Sequence, residues 1–126
     1  MAKAKTYKIL LIEDNPAMNK VYRNRLTSEG FEVVSAMDGQ EGLDAAIKDK
    51  PDIVLLDLVM PKMDGFDVLV EIRKKYSKKK LPVIILSNLG QKSDIEKADK
   101  LGSNDYLVKA DFSLIDAVKR IRQQLK

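Results

Sequence analysis

Cysteine and histidine are both absent from this chain of 126 residues. With them go disulfides, thiol nucleophiles, the usual zinc sites and any Ser-His-Asp triad. The chain also cannot itself carry a phosphohistidine. No apolar run approaches the roughly 18 residues that a membrane span needs. The basic start, Met1 to Lys8, is followed by only Ile9 to Ile12 before Glu13, too short for the core of a signal peptide. A cytoplasmic protein without membrane contact is expected. Repeats and low-complexity linkers are lacking too, so the expectation is one domain over 1–126, with 1–6 as a flexible tail.

What is present suits a single packed core: 44% of residues are hydrophobic and 33% charged. The net charge of +4 would weakly favour acidic partners or nucleic acid. Much of the excess, however, lies in Lys3, Lys5 and Lys8 and in the run Arg73-Lys74-Lys75-Tyr76-Ser77-Lys78-Lys79-Lys80. That run is expected to be a solvated helix end whose lysines suit the helix dipole, with a docking site for nucleic acid or an acidic partner as the alternative. Direct nucleic-acid binding is not expected.

Short β-rich runs alternate with helical patterns, the signature of βαβ units around a parallel sheet. Strands are expected near 7–12, 31–36, 52–57, 82–87 and 104–108. Helices are expected near 16–29, 39–48, 65–76, 92–101 and 112–125. Asn15-Pro16 caps and starts the first helix, Gly30 stops it, and Gly102 ends the fourth. The last helix shows a stripe of Leu114, Ile115, Val118, Ile121 and Leu125. The third and fourth strands are almost wholly apolar, as when helices cover both faces of a sheet.

Polar groups end four of the apolar runs: Asp14 after Ile9 to Ile12, Asp57 after Ile53 to Leu56, Ser87 after Val83 to Leu86, and Lys109 after Tyr106 to Val108. The intervals between them all exceed the dozen or so residues of a right-handed parallel crossover. The first interval holds the extra strand at 31–36. If that strand lies outside the first, the order is 2-1-3-4-5 and the crevice at the reversal opens between Asp14 and Asp57. Glu13, Asp14 and Asp57 gathered there would repel one another and call for a cation; oxygen ligands with open positions suit Mg2+. Asp57, central in the sheet, is the natural nucleophile for an acyl phosphate, with Ser87 and Lys109 placed to meet phosphoryl oxygens. Taken singly, Asp14 and Ser87 could equally be helix N-caps and Lys109 a surface lysine.

The segments Ile12-Glu13-Asp14-Asn15, Leu56-Asp57-Leu58-Val59-Met60-Pro61-Lys62-Met63-Asp64-Gly65, Leu86-Ser87-Asn88 and Asp105-Tyr106-Leu107-Val108-Lys109 resemble the receiver domain of two-component response regulators. The resemblance covers essentially the whole chain and implies a flavodoxin-like, doubly wound five-stranded α/β fold. It implies that Asp57 is phosphorylated by a sensor histidine kinase or phosphotransfer protein. Mg2+ would be held by Asp14, Asp57 and the backbone carbonyl of Val59, with Glu13 acting mainly through water. Ser87 and Lys109 would bind the phosphoryl group, and Tyr106 would be an aromatic switch that follows Ser87. The implied role is a signalling module rather than an enzyme, acting on an unknown downstream protein. A homodimer through the fourth helix, fifth strand and fifth helix is a further expectation, with Asp105 and Arg120 pairing across it.

Tyr106 could instead simply pack at the sheet edge, and Gly65 could serve only to relieve the turn before the third helix. Asn88 stands where the family usually has a small residue, and Ala110 where proline is usual. A haloacid-dehalogenase-like phosphatase would want a second acid at Val59. A flavin mononucleotide carrier would want a Ser/Thr/Gly-rich loop in place of Glu13-Asp14-Asn15-Pro16. Both a stand-alone receiver and a piece of a longer regulator are compatible with the sequence.

Overall fold

The computed structural model describes residues 6–126; most of the expected tail at 1–6 lies outside them. Five strands, β1 (Lys8–Ile12), β2 (Glu32–Ala36), β3 (Ile53–Leu56), β4 (Val83–Ser87) and β5 (Asp105–Val108), form one sheet in the order β2-β1-β3-β4-β5. All four pairings are parallel, with Leu10 beside Val34 and Val54, and Leu56 beside Ile85. The order and the five βα units agree with the sequence reading.

Side chains alternate across a strand, so the five strands feed two separate cores. On one face Leu10, Ile12, Val54, Leu56 and Ile85 pack under α2 (Gly39–Lys48), α3 (Gly65–Lys75) and α4 (Lys92–Leu101). On the other, Ile9, Leu11, Ile53, Leu55 and Ile84 meet α1 (Pro16–Ser28) and α5 (Leu114–Gln124). This double coverage is why β3 and β4 carry no polar residue before their ends.

Capping sets the helix boundaries. The Asn15 side chain accepts the Met18 N–H and Pro16 opens α1. Gly102 closes α4 at φ 103°, in the left-handed region. α5 begins two residues later than expected, because Ser113 and Asp116 form a reciprocal capping box there. Its stripe also differs from the reading: Ile115 is 51% exposed, and Ala117 joins Val118 and Ile121 in the core.

The run at 73–80 is the larger departure. Arg73 is no solvated cation. Its Nε donates to the Gly102 carbonyl at 2.7 Å, and one terminal nitrogen reaches the Tyr76, Ser77 and Leu81 carbonyls at 3.2, 3.2 and 2.9 Å. The other donates to Asn104 Oδ1 at 2.9 Å, while Asn104 Nδ2 donates to the Lys78 carbonyl. Burial lowers the Arg73 pKa. The loop between α3 and β4 is therefore pinned from below, with Lys78, Lys79 and Lys80 exposed on its outside.

Candidate functional site

Strand ends deliver the polar groups to one edge of the sheet. Asp57 follows β3 directly, its N–H still donating to the Ile12 carbonyl at 3.0 Å, and the Lys109 N–H donates to the Ser87 carbonyl at 2.8 Å. One carboxylate oxygen from each of Glu13, Asp14 and Asp57 lies within 4.8 Å of the others. The three carboxylates expected to gather do so.

Lys109 has a resident partner that the sequence did not disclose. Its Nζ lies 2.6 Å from Glu13 Oε1 and 3.7 Å from Asp57 Oδ2. Glu13 is only 2% exposed, and a carboxylate at that depth is costly without a counter-charge. Its other oxygen accepts the Asn15 N–H at 3.2 Å. Burial alone would raise the Glu13 pKa, but the Lys109 hydrogen bond and the Asn15 N–H outweigh it and hold the group below the usual carboxylate range. Burial likewise works against the Lys109 charge, yet Glu13 and Asp57 leave its pKa raised.

Asp57 is in the opposite condition. Burial first, and then the negative charge of Glu13, push its pKa up to about 6 against the pull of Lys109. Asp14 is raised by the same two causes in the same order. Asp57 Oδ1 accepts the Val59 N–H at 3.3 Å. Three carboxylates thus face one ammonium already committed to Glu13. This oxygen-only donor set, with its deficit of positive charge, fits a hard divalent cation such as Mg2+.

Ser87 and Tyr106 are tied to the same residue. The fully buried Ser87 Oγ accepts the Leu89 N–H at 3.2 Å, while the Tyr106 hydroxyl donates to the Leu89 carbonyl. Burial, then the charge of Asp94, push the Tyr106 phenol up to about 12, so it remains a donor at neutral pH. The ring packs against the core beneath α3 and α4. Asn88 and Ala110 are exposed, and the bond from Lys109 to Ala110 is trans. Asp105 and Arg120, the pair named for a dimer interface, lie 2.7 Å apart within the chain.

One supporting residue escaped the sequence reading and another was read too narrowly. Asn19, buried on α1, donates from Nδ2 to the Glu13 carbonyl at 3.0 Å and holds the acidic loop in place. Its helical spacing with Tyr22 and Leu26 was the available signal. Gly65 does more than relieve a turn: a Cβ there would strike the Asp57 carbonyl oxygen and lie 2.6 Å from Leu58 Cα. The first residue of α3 therefore rests directly on the backbone of the central aspartate. Val59, 56% exposed, supplies no second acid for a phosphatase. The acidic loop after β1 likewise supplies no phosphate cradle for a flavin.

Comparison with known proteins agrees with this geometry. The family model described as the response regulator receiver domain matches residues 9–122. A probable transcriptional regulator ycf27 of Guillardia theta is 40% identical over 94% of this chain and 45% of its own length. The DNA-binding dual master transcriptional regulator RpaA of Synechocystis is 35% identical over 94% of this chain and 49% of its own. The chain thus spans about half the length of these curated relatives. Among solved structures, Vibrio cholerae chemotaxis protein CheY4 is similar with a TM-score of 0.88 at 26% identity, covering 96% of this chain and all of that one. The receiver domain of Francisella response regulator 1452 gives 0.87 at 29% identity, covering 95% and 97%.

Proposed function

Because the chain belongs to the response regulator receiver domain family, we propose that it is a phosphoacceptor switch in which Asp57 takes a phosphoryl group from a sensor histidine kinase, a phosphotransfer protein or a small phosphodonor. The observation that carries this reading is the geometry around Asp57: two further carboxylates with oxygens within 4.8 Å and the Lys109 ammonium at 3.7 Å. An Asp57 oxygen attacks phosphorus, and the bond to the donor's leaving group breaks with its electron pair departing on that group. Asp14, Asp57 and the Val59 carbonyl would hold Mg2+, with Glu13 acting through water because both its oxygens already have partners. Bound there, Mg2+ supplies charge neutralisation for an incoming anion.

Lys109 and Ser87 receive the remaining phosphoryl oxygens. For Lys109 this means exchanging its bond to Glu13 for one to the new anion. When Ser87 turns toward phosphate it loses the Leu89 N–H, and the Tyr106 anchor on the same residue is disturbed with it. The switch thus runs from Ser87 through Leu89 to Tyr106. The catalytic scope is limited to the chain's own phosphorylation and dephosphorylation, a signalling role rather than that of an enzyme with a separate substrate.

The output is a changed protein-contact face made by α4, β5 and α5, engaging a downstream protein or a second copy of the chain. The relatives are named as transcriptional regulators, and those names lend no support to the expectation that nucleic acid is not a direct partner. No helix among the described residues is long and apolar enough to cross a membrane. Intact mass spectrometry with acetyl phosphate tests the reading. Wild type with Mg2+ gains one phosphoryl mass; Asp57→Asn, or wild type in EDTA, does not. Equal labelling of all three would overturn it.

A further inference from the structure

The lysine run at 73–80 takes no part in the chemistry at Asp57, yet the structure spends considerable bonding on it. A merely solvated helix end needs no scaffold. This one has Arg73 on four backbone carbonyls and Asn104, and Asn104 in turn on Lys78. The backbone under Lys78, Lys79 and Lys80 is thus held in one arrangement, so a partner need not pay to order it.

Beside the loop, at the edge of the sheet opposite the carboxylates, opens a cleft of about 380 Å3 lined by Ala46, Lys50, Pro51, Tyr76, Lys80 and Leu81, with Asp52 at its side. Its walls are polar and apolar in about equal measure, Tyr76 and Pro51 giving the apolar part, and its two cations are exposed. Lys75, Lys78 and Lys79 stand nearby, also exposed. The negative groups around it are mostly engaged: Asp52 Oδ2 accepts the Lys8 N–H at 2.8 Å, and Glu71 pairs with Lys74 at 3.0 Å. Between 73 and 80 there is no acidic residue. Lys50, Lys75, Lys78, Lys79 and Lys80 outnumber Asp49, Asp52 and Glu71 around the cleft, which leaves its surroundings with a net positive charge. A second hollow between α2 and α3 continues from Ala46 and Tyr76 past Leu43 and the exposed Ile47.

We infer that this cleft docks an acidic polypeptide segment of a partner protein, one apolar or aromatic side chain entering between Tyr76 and Leu81 while flanking carboxylates meet Lys50, Lys79 and Lys80. Charge complementarity selects an anionic partner. The concave, mixed lining selects a polypeptide over a duplex, because a phosphate backbone would use the lysines and leave Tyr76 and Pro51 without a role. The cleft lies at the start of β3 and Asp57 just past its end, about 17 Å away along the strand. Docking and phosphorylation therefore do not compete for space.

A short peptide of Asp and Glu around one central tryptophan, with a fluorescent label, serves as the probe at physiological ionic strength. Wild type and Asp57→Asn should bind it alike, with and without Mg2+, which separates this site from the phosphoacceptor reading. The variant Lys79→Glu with Lys80→Glu, both positions being exposed, should bind at least about tenfold more weakly while its circular dichroism is unchanged. Lys50→Glu should weaken binding independently, and amide shifts should centre on Ala46, Tyr76 and Leu81. Equal binding by the charge-reversed proteins would overturn the proposal. So would undiminished affinity for the peptide with alanine in place of tryptophan, or tighter binding of a mixed-sequence DNA duplex than of the peptide.

Discussion

The two edges of the same sheet treat charge in opposite ways. At the ends of β1 and β3, three carboxylates are crowded together around the one ammonium that β5 delivers, and the strain shows in Asp57, whose pKa is pushed up to about 6. At the other edge the lysines are exposed and the half-buried Arg73 meets five acceptors. One edge keeps an electrostatic deficit and the other has satisfied its buried charge. Unfavourable energy left in place marks where a ligand must come to relieve it, whereas a satisfied charge marks scaffold.

Arg73→Ala should break this contrast most severely. It strips a charged donor from four carbonyls, three of them in part-buried bonds, and from Asn104, and a loss of about 2–3 kcal/mol is expected. Urea denaturation measures it; a loss below about 1 kcal/mol would mean that the staple is not structural.

At the acid edge the effect of substitution reverses sign. An aspartate titrating near 3.9 when unfolded and about 6 when folded favours the folded state only while protonated. That contribution is complete below pH ~4 and is lost as pH rises through about 6. In EDTA at pH 7, Asp57→Asn should therefore be more stable than wild type by about 2–3 kcal/mol, the gap closing toward pH 4 and narrowing when Mg2+ is added. A gap independent of pH would show that the carboxylate charge is not the cause.

A smaller effect concerns the lifetime of the phosphorylated state. Hydrolysis needs a water in line with phosphorus, and Val59 and Leu89, two positions beyond Asp57 and Ser87, offer no side-chain hydrogen bond to place it. Slow loss of phosphate is expected, and Val59→Asn with Leu89→Glu should speed it by about tenfold, equivalent to ~1.4 kcal/mol of barrier. Phosphate release after donor removal would expose the idea as wrong if the variant were no faster.

The smallest change returns to the basic edge. Replacing Lys78, Lys79 and Lys80 together by Ser should alter stability by no more than about 0.5 kcal/mol, because their side chains are exposed and only the backbone beneath them is anchored. A loss as large as that of Arg73→Ala would erase the distinction between staple and surface.

Much of the fold was legible because four of the five strands announce themselves as apolar runs closed by a polar residue, and those polar residues then select the edge. The site was legible as a set of residues but not as a set of pairs. Nothing in sequence shows that Lys109 bonds Glu13, because that contact joins residues separated by nearly the whole chain. Arg73 was lost among like neighbours: six basic residues in a row of eight do not reveal which one turns inward. Its place one turn after Leu69 and beside Ile72, on the edge of the buried stripe of α3, was the available sign. Ile115 failed in the converse way, since hydrophobicity marks a candidate for burial while the helix face decides.

α3 is clamped at both ends. Its first residue has no room to move against the backbone of Asp57 and Leu58, and the Gly65 N–H donates to the Leu58 carbonyl at 2.9 Å. Its last turn is stapled through Arg73 to Leu81 and Gly102. The 11 residues between act as a strut about 16 Å long. α4 has no such fixing: its N-cap Gln91 makes no side-chain bond, and Ala98 is its one buried residue. A load applied at Asp57 therefore finds α3 stiff and α4 compliant, so displacement passes along the compliant helix, the one adjoining Leu89 and Tyr106.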